Sequence, residues 1–252
     1  MKLLLLTLLL LPVAATAAEP LAFALHYEAS YGNLDGTADR SLTPDPGGSG
    51  WLLHSRVAVE LLGRTISSIE ETSHIRWQNE LPQALDYSFV QKGIGGRSRS
   101  VVFAADGRQA DFRVNDNAGT LTLQEPTFEP LSIPLLLRDR LAAGDSNIQF
   151  AVADRGEVRT HQYRVVGTET LVLPAGSFDT VHVERVRDGG NERSTDLWLA
   201  TAHDYVLVKL LQTEPDGDSI SLELREGTLN GEPVVAGVTP PQAADRNAAG
   251  GP

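Results

Sequence analysis

The groups in this chain that could do chemistry are six histidines, a few carboxylates and one glycine-flanked serine. His26, His54, His74, His161, His182 and His203 form no H-x-H or H-E-x-x-H pair, and no carboxylates have calcium-loop spacing. No metal ligand is assigned. His182 alternates with Thr180 and Glu184, which puts it on a polar strand face. His161 lies on a strand able to approach it. Ser49 sits in Gly47-Gly48-Ser49-Gly50. A nucleophile elbow needs a glycine two residues after the serine, and Trp51 stands there. The surrounding composition is that of a loop. Gly93-Ile94-Gly95-Gly96-Arg97 lacks both the spacing and the following helix of a phosphate loop, so it reads as a hairpin loop. Glu70, Glu71, Asp139 and Asp196 could supply the two carboxylates of glycoside hydrolysis. In an acidic chain such residues more commonly sit in water. No catalytic residue is assigned, and no cofactor is expected.

Aromatic residues form the richer set. Trp51, Trp77 and Trp198, with Tyr27, Tyr31, Tyr87 and Tyr163, could line an apolar cavity or fill an ordinary β-core. Trp198 is the best core candidate, being flanked by Leu197 and Leu199. Arg138 and Arg140 close a helix, where cations commonly cap. They could also hold an anionic head group. Trp51, Trp77, Arg138 and Arg140 are therefore the candidate ligand-binding residues.

Strands must position these groups. Residues 21–31 alternate apolar and polar over their whole length, as a strand with one buried face does. Further strands are expected over 51–61, 64–77, 99–103, 108–114, 120–124, 148–153, 158–166, 169–173, 180–187, 194–200, 205–213 and 219–226. Residues 33–36, 43–50, 93–96, 174–177, 188–191 and 215–217 read as turns or loops, and Asp106-Gly107 is a hairpin signal. One helix is expected over 129–145. Ser132 would cap it, Pro134 falls in its first turn and Gly144 closes it. Ile133, Leu136, Leu137 and Leu141 make its apolar stripe.

Composition bounds the setting. Lys2 precedes an apolar run ended by Pro12, and Ala15-Thr16-Ala17 offers small residues for cleavage, the form of a secretory signal. The run is shorter than the ~20 apolar residues that a membrane span needs. A signal peptide over 1–18 and a periplasmic location are expected, with no later membrane span. The chain has no cysteine, so disulfides and thiolate sites are excluded. Its net charge is −12. Removing Lys2 with the signal makes it −13. Such a surface repels nucleic acid.

Four pieces in order resemble a known family. They are the opening strand with Tyr27 and Tyr31-Gly32, Glu129-Pro130-Leu131-Ser132 with the helix ending in Leu137-Arg138, Gly167-Thr168-Glu169 with the 174–178 turn, and Leu197-Trp198-Leu199-Ala200. Over roughly residues 23–225 the chain is similar to the exported bacterial proteins catalogued as domain of unknown function 3108. Glu129 stands where that family usually has aspartate, Leu207 where proline is common and Lys209 where arginine is common. The resemblance implies an exported, mainly antiparallel β-protein and supplies no catalytic residues.

The fold expected is a single all-β domain over 19–230, with a disordered tail over 231–252. It is an antiparallel meander of ~10–12 strands forming a closed or nearly closed barrel with one short helix. A two-sheet sandwich is the alternative. The function expected is a non-enzymatic periplasmic binding or envelope-associated module with an apolar cavity. Its partner would be an apolar or amphipathic small molecule or an envelope protein. A structural or protein-interaction role in the envelope and a hydrolase using paired carboxylates are the rival readings.

Overall fold

Alternation of apolar and polar residues carries most of this fold. The computed structural model describes residues 20–48, 50–78, 81–124, 126–187 and 193–236. The expected signal peptide, Ser49, the 188–191 turn and the tail beyond 236 lie outside them. The strands are β1 Phe23–Tyr31, β2 Leu34–Pro44, β3 Trp51–Leu61, β4 Arg64–Gln78, β5 Leu81–Gly93, β6 Arg97–Phe103, β7 Gln109–Val114, β8 Asn117–Thr122 and β9 Thr127–Phe128. A 3₁₀ turn, Pro130–Ser132, leads into the helix α1, Ile133–Ala142. Then follow β10 Asn147–Asp154, β11 Glu157–Leu173, β12 Gly176–Val186, β13 Ser194–Ala200, β14 Val206–Thr213, β15 Ser219–Leu229 and β16 Glu232–Pro233.

All sixteen strands belong to one sheet. Its order runs β8 to β1 in reverse sequence, then β15 down to β9, with β16 attached to β15. Neighbours are antiparallel except β9 and β10, which are parallel. The first strand thus pairs with the last long one, Tyr27 opposite Leu224. The strands outnumber those expected because β2, β5 and the two-residue β9 and β16 carry weak alternation.

No strand pairing joins β8 to β9 among the described residues, so the sheet is not closed by backbone hydrogen bonds. Side chains bridge the seam instead. Arg99 Nε of β6 meets Asp154 Oδ1 of β10 at 3.1 Å. The Phe112 ring of β7 lies where a side chain at Gly156 would have to go, 2.8 Å from its Cβ position. Gly156 also has φ +81°, so glycine is required there twice over.

Two apolar clusters hold the sheet. The larger takes Phe23, Leu25 and Tyr27 from β1, with Tyr87, Phe89, Phe178 and Leu224. The second joins Ile133, Leu136, Leu137 and Leu141 of α1 to Phe150, Tyr163, Leu197 and Leu199. The helix stripe read from the sequence is therefore the buried one. Leu131 and Leu135 point from the same segment into the first cluster, so the helix segment ties the two together.

The helix start differs from expectation. Ser132 makes no capping hydrogen bond of its own. Its hydroxyl donates to Glu129 Oε1, and Glu129 Oε2 accepts from the Leu131 N–H at 2.5 Å. Glu129 thus takes the place expected of Ser132 as the side-chain acceptor at the start of this segment. The 158–166 and 169–173 stretches form one strand, β11, with an irregularity between Val165 and Gly167. A bulge absorbs the extra residue without ending the strand. The C-terminal segment also departs from expectation, since β16 pairs with β15 and Val234 is buried. Its apolar side chain and the Val234 N–H bond to Gly227 O (2.9 Å) hold residues 232–234 on the fold.

Candidate functional site

Charged side chains stand where the alternation of β2, β4 and β6 places apolar ones. Leu25, Arg40, Ser55, Glu71, Phe89 and Arg99 lie directly opposite one another across β1 to β6. Cross-strand partners share a face. Leu25 and Phe89 are buried, so this row points inward and carries two arginines and a glutamate with it.

Each charge in the row has a defined partner. Arg40 Nη2 donates to Leu131 O at 2.6 Å. Burial lowers its pKa, while Tyr27, Glu71 and Glu129 favour its charge. Glu71 Oε1 accepts from the Tyr87 hydroxyl at 2.6 Å, and burial, with the Glu71 charge, raises that phenol well above its usual value. Tyr27 donates to Leu207 O at 2.8 Å, and its pKa too is raised by burial. Glu129 has no solvent exposure. Burial pushes its carboxyl up to about 7, against the pull of hydrogen bonds from Ser132, Ser73 and the Leu131 N–H.

The Ser73 hydroxyl has one proton and gives it to Asp86 O at 3.1 Å. Burial favours the protonated form of Glu129. With no contact to solvent, Glu129 has no route to a substrate, and the arrangement braces the helix segment against β2 and β4.

A second cluster lies around Trp198. Its ring is buried, as a core residue should be. Its Nε1–H donates to Glu169 Oε1 at 2.7 Å, and His182 stacks on it at 4.4 Å between centroids. His182 Nε2 is 2.9 Å from Asp196 Oδ1. The Lys209 ammonium lies 5.4 Å from the Trp198 ring centroid. This is a histidine held by carboxylates with no hydroxyl or thiol nucleophile among these partners. His161 does not join it, because Gly167 is the residue opposite His182.

The residues expected to bind a ligand divide. Trp51 and Trp77 both pack partly buried against the larger cluster, and the Arg138 guanidinium lies 5.9 Å from the Trp77 ring centroid. Arg138 is held by Asp139 at 2.9 Å and Asp204 at 3.1 Å. Arg140 pairs with Asp145 at 2.7 Å. Anion binding by either arginine would compete with these carboxylates. The crevice beside Arg138, lined by Phe23, Leu25, Arg40, Leu135 and Tyr205 among others, holds about 20 Å³, room for one water. That is far below the ~300 Å³ at which ligand pockets begin. A wider groove of about 460 Å³ runs along β6 to β8, lined by Ser100, Val102, Asp111, Arg113, Ala118 and Thr120 among others.

The carboxylates that could serve glycoside hydrolysis each have another partner. Glu70 is beside His54 on the exposed face, Glu71 is on Tyr87, Asp139 is on Arg138 and Asp196 is on His182. Among the described residues no group of three His, Asp or Glu could hold a metal, and no helix is long and apolar enough to cross a membrane.

The fold and these clusters define an all-β protein whose described residues form one sheet, not closed by backbone pairing, with one short α-helix. It belongs to the DUF3108 family, proteins of unknown function, matched over residues 23–225. No curated protein is significantly similar in sequence. Among solved structures the chain is similar to a beta-barrel-like protein of domain of unknown function DUF1849 from Brucella abortus. The two are 12% identical, the match covers 84% of this chain and 99% of that one, and the TM-score is 0.55. At that identity the likeness shows the fold alone.

Proposed function

We propose that this protein is an exported, non-enzymatic envelope module that forms a nearly closed barrel and binds at its surface. The sequence leader supports export to the periplasm. The β-barrel-like neighbour and the side-chain bridges across the seam support the barrel. The observation that carries the surface reading is the outer edge of β8, which has no strand partner among the described residues. An unpaired edge presents backbone N–H and C=O groups that an extended segment can pair with. β8 carries small and polar residues, Asn117, Ala118, Gly119 and Thr120, so little hinders approach. The groove beside it exposes Val102 and can take side chains of the added strand. The occupant proposed is an extended segment of an envelope protein.

A photo-crosslinking residue at position 120 tests this in intact cells, with one at Glu28 on the central β1 as control. Adducts with an envelope protein from position 120 only, lost on adding Ala118→Pro, are expected. Equal crosslinking from both positions overturns the edge reading. A stoichiometric apolar small molecule retained in native mass spectrometry would favour an internal cavity instead.

A further inference from the structure

Antiparallel pairing sends alternate turns to opposite ends of the sheet. The turns after β1, β3 and β5 therefore share one end. Phe23 pairs with Leu229, so the start of β1 and the β15–β16 turn lie at the other. At the shared end apolar side chains stand in water. Leu62 is 95% exposed, Ile94 69%, Leu61 48% and Tyr31 41%. Register makes them neighbours. Gly36 pairs with Val59 and Tyr31 with Leu34, which sets Tyr31, Leu34 and Leu61 level. The Ile94 N–H donates to Ile66 O at 3.4 Å. Leu61 pairs with Arg64, so the β3–β4 tip overhangs that bond by about 7 Å, two residues of strand.

Folding does not call for a leucine at this tip. Leu62 and Gly63 have φ +51° and +72°, the positive values that both central residues of a type I′ hairpin take. Asn, Asp and Gly suit the first of these positions, and a leucine is strained there. At the β15–β16 turn the chain places Asn230 before Gly231, with φ +50° and +83°. Leu62 thus bears strain and gains no burial, so its reason lies in what it meets from outside. The charges around it say what that is. Residues 60–66 and 91–97 carry three basic side chains, Arg64, Lys92 and Arg97, and one acidic, Glu60. Arg64 and Lys92 are exposed and make no ion pair among the described residues. Acidic turns flank this basic stretch, with Asp35 beside β1, Asp216 and Asp218 before β15, and Asp116 after β7. In a chain of net charge −12 the β3 to β6 tips are a local reversal of sign. Exposed charges farther off than ~8 Å are largely screened at physiological salt.

We propose that the β3–β4 and β5–β6 tips dock this protein on a lipid leaflet that carries anionic headgroups. Leu62 and Ile94 enter the acyl boundary, and Arg64 and Lys92 lie among the phosphates. A narrow apolar tip with basic flanks fits the soft surface of a leaflet, where apolar burial and attraction to anionic lipid act together. Tyr31, one step back from the tip, suits headgroup depth with its apolar body and polar end. Docking shares the export reading above for its setting and is independent of the β8 edge.

The test uses the mature full chain and vesicles of phosphatidylcholine with or without phosphatidylglycerol. The chain has no cysteine, so an environment-sensitive dye can be set at a single place, through Asn33→Cys at the docking end or Glu232→Cys at the other. Co-flotation with phosphatidylglycerol vesicles is expected, with a blue shift of emission from position 33 and none from position 232. Leu62→Asn should weaken partitioning roughly tenfold. It should unfold at no lower urea concentration than the parent, because asparagine suits the turn. Val172→Asn, at a site of the other end that is itself 85% exposed, should leave partitioning unchanged. Arg64→Gln should lose about fivefold on phosphatidylglycerol and nothing on phosphatidylcholine alone. Docking is overturned if neither vesicle binds the chain, if the dye responds equally at both positions, or if Leu62→Asn and Val172→Asn act alike. It is also overturned by a concentration-dependent dimer that Leu62→Asn abolishes in the absence of flotation, which would assign the tips to a second copy of the chain. Crosslinking from position 120 at β8 is untouched by any of these outcomes.

Discussion

Replacing Glu129 with glutamine should change how stability depends on pH. In the fold the Glu129 carboxyl keeps its proton up to about pH 7, whereas a free glutamate releases it near 4.5. Below 4.5 both states are protonated and the folded state suffers no penalty. As pH rises toward 7, the unfolded chain ionises while the folded one holds the proton, so stability falls. Over that window the loss amounts to about 3 kcal/mol, at about 1.4 kcal/mol per pH unit. Glutamine is neutral throughout and removes this dependence. At about pH 5 the variant should be the less stable by about 1–2 kcal/mol, because the amide cannot reproduce every hydrogen bond. Above pH 7 the difference should shrink or reverse. Urea unfolding of both proteins across this range measures it. His74, whose pKa is raised by its hydrogen bond to Asp86, also loses its contribution as pH rises, but it does so in both proteins and cancels. Two parallel stability curves would show that Glu129 is ionised in the fold, and the reading of its network would be wrong.

Four further outcomes are expected. Leu137→Ala removes a fully buried side chain of the helix cluster and should cost about 2–5 kcal/mol in urea unfolding. Tyr87→Phe leaves Glu71 Oε1 without its 2.6 Å donor and should cost about 1–3 kcal/mol, partly recovered by a second change, Glu71→Gln. Gly93→Ala sets a Cβ 2.1 Å from Ile66 O at φ +80°, so thermal unfolding should show a loss of about 1–3 kcal/mol. Asp86→Asn removes the acceptor that raises the His74 pKa, and NMR titration should find that pKa lowered.

The fold was most legible where one strand face is wholly apolar. Phe23, Leu25, Tyr27 and Ala29 alternate without exception and are buried. The helix stripe was equally plain. The interior charges were harder, because periodicity counts apolar residues and passes over an arginine in phase with them. Arg40 stands between Ala38 and Leu42, and Glu71 and Ser73 stand between Ile69 and Ile75. That phase was the available signal. The open seam was hidden, because alternation reports which face of a strand is buried and says nothing of which edge finds a partner.

The pairing of β1 with β15 also bears on when this protein can fold. Each half of the sheet is a run of hairpins between neighbours in sequence, which form quickly. The contact that joins the halves, Tyr27 opposite Leu224, has a sequence separation close to the length of the whole sheet. Loop closure of that span is slow. The first strand must wait, one edge unpaired, until residues 219–229 have been synthesised and released. A chain with this topology stays non-native through nearly all of its synthesis, and its native state assembles after the last long strand is free to pair.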